Sequence, residues 1–257
     1  MMPYRYAHYV ILLALVPAIG LAFWPAYFSN LRGASWVFHA HGLTASCWII
    51  LALAQSWTAH AKRFVWHRLA ARSVLVLVPL FAAGGALALQ GMATKFLTKS
   101  DPFYGAFGAR LGMDDIVSTI MLVAMVRAAI VNRRRVGLHA AYMLATVALV
   151  LPPVFSRLPL PRWWHLADLL TIAIALAVYL ARRRDGWPFL LVTVYSVWRI
   201  VQFETIAASD WWAAAFAQIK DLPPLPIVLG AFVASGVAIW SAWPWKRTTR
   251  VRPLSAA

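Results

Sequence analysis

The feature that most constrains this chain is a train of apolar runs, recurring from end to end with short basic clusters between them. Each run is about twenty residues long, which is what one helix needs to cross the hydrocarbon core of a bilayer. Eight runs can be drawn, near 7–24, 36–59, 71–92, 114–132, 139–156, 164–181, 187–208 and 223–243. A backbone in lipid must satisfy its own hydrogen bonds, so runs of this kind fold as helices. The expectation is an all-α polytopic membrane helix bundle of about eight transmembrane helices, forming a single integral-membrane domain over 1–257. Composition agrees: 62% of residues are apolar and 12% charged, against roughly half and about a quarter in soluble domains.

A net charge of +16 would suggest nucleic acid in a soluble protein. Here the basic residues cluster at the ends of apolar runs, which is a topology signal and leaves no nucleic-acid reading. Arg5, the connections holding Lys62 to Arg72, Arg127 to Arg135 and Arg182 to Arg184, and the tail with Lys246, Arg247, Arg250 and Arg252 carry sixteen basic residues. The alternate connections carry seven, from Arg32 to Lys220. Both termini are therefore expected in the cytoplasm, and the location expected is a bacterial inner membrane, multi-pass. The first run ends in Phe23, Trp24 and Pro25 rather than small residues, so it reads as an anchor and not a cleaved leader. Trp24, Trp36, Trp163, Trp164, Trp211, Trp212, Trp243 and Trp245 read as interfacial belts. The connection 93–112 reads as a long outer loop or cap, and Trp211 to Ile219 as a helix lying in the interface.

A single cysteine, Cys47, excludes disulfide frameworks, cysteine zinc sites and iron–sulfur clusters. Glycine-rich phosphate loops and a His-Glu-x-x-His pair are absent too. Chemistry falls to histidine, carboxylate and arginine. By topology His39, His41 and His165 are outer, while His8, His60, His67 and His139 are inner. Residues two apart on a helix point away from each other. His41 is favoured over His39 for the bundle interior, because His41, Ala45, Trp48, Ala52 and Gln55 then share one stripe. His165 and Asp168 share a helical face by their three-residue spacing. Asp114 and Asp115 enter the fourth run from the same side, where they could also serve only the helix dipole. Arg199 stands alone in an apolar run and demands a partner, for which Asp168, Asp115, Glu204 or an anionic ligand qualify. His67 and His139 follow basic clusters at helix starts, positions that suit an axial haem ligand.

The order His39-x-His41-Gly42, His67-Arg68-Leu69, Asp115, then His139 followed by Met143-Leu144-Ala145-Thr146, with Arg157, Arg199 and Trp212 beyond, resembles a bacterial family of multi-pass membrane proteins of unknown function. The resemblance implies the fold and no activity, and the chain departs from the pattern at Ala140 and Ala141. The histidine layout is also similar to two-haem transmembrane b-type cytochromes, which implies His41 with His165 outside and His67 with His139 inside.

Three functions follow as expectations. The first is a redox protein holding haem b on those histidines, with Arg199 for propionates and a quinone as electron partner. The second is a hydrolase-like enzyme holding zinc or another divalent metal on His39, His41, His165, Asp168 and Asp115. The third is a proton-coupled or anion transporter using Asp168, Glu204 and Arg199.

Overall fold

The computed structural model describes residues 3–161, 163 and 165–245. Arg162, Trp164, Lys246, Arg247, Arg250 and Arg252, used above for topology, lie outside the described residues. The protein is 82% helical, with no strand among the described residues. We number the helices α1 (Ala7–Phe23), α2 (Trp36–His60), α3 (Phe64–Ala71), α4 (Val74–Thr98), α5 (Pro102–Val131), α6 (Val136–Phe155), α7 (Leu166–Ala181), α8 (Trp187–Glu204), α9 (Asp210–Gln218) and α10 (Pro224–Ala242). Five stretches are long and apolar enough to cross a membrane: α2, α4, α6, α8 with its short extension to Ala208, and α10. α1 and α7 are apolar but shorter.

Two boundaries differ from the sequence expectation for local reasons. The connection 93–112 is not a loop. Lys99 closes α4 in the left-handed conformation, and Asp101 caps α5 by accepting from the Phe103 and Tyr104 amides at 3.0 and 3.3 Å. Pro102 at the first helical position completes this start signal, so α5 takes up most of the presumed loop. The third run also begins later, at Val74, because α3 forms a separate two-turn helix that carries His67.

α4 is the central element and packs on α2, α5 and α10. α6 lies on α5 and α8, α7 pairs with α8, and α1 leans on α2. Small residues allow these close approaches. A Cβ at Gly84 would stand 3.1 Å from the Ala40 carbonyl oxygen and 3.2 Å from the His41 Cα, so α4 meets α2 backbone to backbone there. Trp48, Val78, Val126, Ala145, Val192 and Ile239 belong to one continuous core. The outer surface is apolar as well: Leu13, Leu21, Leu43, Ile120 and Leu225 are all exposed. An apolar exterior around an apolar core is the arrangement of a protein whose solvent is lipid. α9 does not float free, since Phe216 is fully buried against Gly112 and Trp212 donates its indole N–H to the Ala109 carbonyl at 2.7 Å.

Arg63, Arg68, Arg133, Arg182 and their neighbours define a basic end of the bundle. Asp101, Asp168, Glu204 and Asp210 lie at the opposite, carboxylate-bearing end.

Candidate functional site

Near the carboxylate-bearing end, α5, α7 and α8 converge on Arg199. This residue lies five positions before the end of α8, about 8 Å along the axis at 1.5 Å per residue. Its Nη2 donates to Asp114 Oδ2 at 2.7 Å, and its Nη1 stands 3.3 Å from Asp168 Oδ1. Gln202, one turn further along α8 and 1% exposed, donates its Nε2 to the other Asp114 oxygen at 2.7 Å. Tyr195, one turn earlier, donates its hydroxyl to the Asp114 carbonyl at 3.2 Å. The i, i+3 and i, i+4 spacing of Tyr195, Arg199 and Gln202 aims all three at one point on α5.

The network continues outward through His165, the residue preceding α7, whose left-handed backbone (φ 52°) turns its ring back over the helix start. Its Nδ1 stands 3.5 Å from Asp168 Oδ2 and its Nε2 3.1 Å from Glu204 Oε1. Both ring nitrogens thus face carboxylate oxygens, which only accept unless protonated. A single proton on the ring can satisfy one side, and two satisfy both. Glu204 in turn stands 3.5 Å from Arg110, whose guanidinium lies over the Phe203 ring. The side chains of Asp114, Arg199, Asp168 and His165 are 7–12% exposed, whereas those of Glu204 and Arg110 are 39 and 31% exposed. Three polar atoms around Arg199 are buried without a hydrogen-bond partner among the described residues, namely its own Nε, Gln202 Oε1 and Ser196 Oγ. Buried polar atoms left open in this way mark a place where a polar species can be held.

The other nominated residues lie elsewhere. His39 Nδ1 meets the Tyr27 hydroxyl at 2.7 Å. His41 packs its ring on Phe81, and its Nδ1 is buried without a partner. Neither comes to His165, which is engaged by Asp168 and Glu204. Asp115 is exposed and faces a groove between α4, α5 and α10. Among the described residues no group of three or more His, Cys, Asp or Glu side chains is placed to hold a metal ion. At the basic end, His67 Nδ1 lies 3.2 Å from the Gln55 carbonyl, and Gln55 returns a bond from its Nε2 to the His67 carbonyl at 3.1 Å. His139 Nδ1 lies 2.9 Å from the Ala129 carbonyl. Burial in this layer holds the His67 imidazole below its usual pKa, with His139 and Arg68 adding to the effect and the Gln55 carbonyl opposing it. His60 presents both ring nitrogens to carbonyls, Ser56 at 2.7 Å and Pro3 at 3.1 Å, and so ties the start of the chain to α2.

Sequence reasoning missed the role of Asp114, having favoured its neighbour as the partner of Arg199. Successive helical residues differ by about 100° in direction, so one of the pair enters the network and the other faces out. Stepping back from the buried Leu122 by two intervals of four reaches Asp114, but in a helix apolar all round that stripe carries no contrast to read. Compared with models of protein families, with characterised proteins and with solved structures, the chain matches none, so its function is argued from the site alone.

Proposed function

We propose that this is a multi-pass protein of a bacterial inner membrane, with eight spans and both termini cytoplasmic, whose carboxylate-bearing half relays protons in a proton-coupled transport cycle. One observation carries the reading: an unbroken series of ionisable groups, Asp114, Arg199, Asp168, His165, Glu204 and Arg110, leads from a buried centre to an exposed edge. Ionisable side chains in a membrane interior are costly, and those that persist there usually belong to substrate or proton pathways. His165 can pass a proton between Glu204 and Asp168 because each ring nitrogen addresses one of them. Arg199, always charged, holds Asp114 and Asp168 together. The ion pairs of Arg199 join α8 to α5 and α7 here, so neutralising a carboxylate loosens that tie. That change in charge at a helix–helix contact is the element a transport cycle would switch.

The test is proton flux into proteoliposomes under a valinomycin-imposed potassium potential, read with a trapped pH dye, alongside infrared detection of carboxyl protonation. Wild type is expected to pass protons and show a carboxyl band that titrates. Asp168→Asn and His165→Phe, if folded by circular dichroism, should lose at least nine-tenths of the flux. Flux equal to empty vesicles together with a carboxyl band that does not titrate would overturn the reading.

A second reading, haem b at the basic end, is favoured by the tautomers of His67 and His139. Each Nδ1 faces a backbone carbonyl and must carry the proton, which leaves Nε2 with its lone pair for a metal. A Soret band in purified protein that is lost in His139→Phe is its signature.

A further inference from the structure

Between α4, α5 and α10 lies a groove of about 470 Å³, open to the side of the bundle and separate from the Arg199 network. Its volume falls within the range of ligand sites, roughly 300–1,000 Å³. α5 contributes residues from Asp115 to Arg127, so the groove runs about 18 Å along the helix axis. α4 and α10 wall it with small side chains, Gly85, Ala86, Ala234 and Ser235 among them. Leu, Ile or Phe at these positions would have closed it.

Near the Asp115 end, two polar groups of α5 break the apolar lining. Asp115 is exposed to the groove, and no hydrogen bond or ion pair closes on its carboxylate among the described residues. Thr119, one turn along α5, lines the same wall. Behind Gly85 sits His41, whose buried Nδ1 has no partner. A Cβ placed on Gly85 would be 3.5 Å from Thr119 Oγ1 and 3.9 Å from His41 Nδ1. The imidazole thus lies behind Gly85 and outside the groove lining, its Nδ1 closed off from solvent.

We infer that this groove binds a lipid-soluble molecule with a neutral, hydroxyl-bearing head and a long apolar chain. The head would donate to Asp115, with Thr119 completing its hydrogen bonds, and the chain would run toward Arg127 along the alanine-lined wall. An anionic head is excluded because it would meet the Asp115 carboxylate. A fully apolar occupant would leave that carboxylate unpaired in a low-dielectric setting, at a cost that hydrogen bonding to the head removes. A quinol and a prenyl or acyl alcohol share this chemistry. The inference does not depend on proton relay, and binding is measured without flux.

The experiment labels detergent-purified full-length protein with a long-chain alcohol carrying a diazirine at its tail, maps adducts by peptide mass spectrometry, and competes with excess decylbenzoquinol or farnesol. Labelling is expected to concentrate on α10 near Ala234 and Ala238. It should fall at least fivefold in Ala234→Phe, which fills the groove, and in Asp115→Asn, which weakens the acceptor. Competition by decylbenzoquinol alone identifies a quinol head, and competition by farnesol alone an alcohol. Adducts spread over all lipid-facing helices, or adducts on α10 that neither competitor nor any variant reduces, would overturn the inference.

Discussion

Arg199 Nη2 lies 2.7 Å from Asp114 Oδ2, joining α8 to α5 across 85 residues of sequence. The pair is almost withdrawn from solvent, with 12 and 7% of the two side chains exposed. Removing the guanidinium leaves two carboxylates, Asp114 and Asp168, facing one another without a counter-charge. Breaking a buried pair from one side costs about 3–5 kcal/mol. Arg199→Met should therefore lower the thermal midpoint in detergent sharply, and adding Asp114→Asn should recover part of the loss. An Arg199→Met protein as stable as wild type would show that the pair is not the tie between α5 and α8.

The fit of α9 depends on the absence of a side chain at Gly112. A Cβ there would collide with the Phe216 ring, which is fully buried and has no room to retreat. Gly112→Ala is expected to undock α9 while leaving the bundle intact. Limited proteolysis should then cut between Asp210 and Asp221, where the wild type resists.

At the basic end, acid should weaken the fold through His67. Burial depresses its pKa in the folded protein, so between the unfolded value and the lower folded one the unfolded chain binds more protons. Stability from the neutral ring is complete above about pH 6.5 and declines as the pH falls below it. His67→Gln should flatten the slope of thermal midpoint against pH between 7 and about 5. An unchanged slope would assign the acid sensitivity to another group.

Trp48 donates its indole N–H to Thr146 Oγ1 at 3.2 Å, fixing α2 against α6. Trp48→Phe keeps most of the buried ring but loses this bond, at a cost of about 1 kcal/mol. The measurement is a denaturation midpoint, and a fall several times larger would mean that packing rather than the hydrogen bond ties the helices.

Part of the site was legible along the chain. Arg199 announces itself because a guanidinium in an apolar run has no tolerable state without a partner. His165 and Asp168 share a face because three residues nearly complete a helical turn, a property of the helix and not of its neighbours. Glu204 was considered as a partner of Arg199, whereas the structure sets it against His165 and Arg110. The start of α5 was present in the letters as Asp101-Pro102 but was outweighed by the glycine and aromatic content that follows.

By itself, then, the sequence determined that the chain is helical, that its apolar helices suit a lipid environment, and that a few ionisable residues among them need partners. Those are consequences of local composition and of backbone hydrogen bonding. Only the tertiary structure decided that Arg199 meets Asp114 and not Asp115, that His41 and His165 stay apart, and that a groove lies beside Gly85. The physical reason is that in a membrane protein the core and the solvent are both apolar. The contrast that betrays the buried face of a soluble helix is missing, and helix pairing is set by close packing of small residues and by the few polar contacts that packing permits.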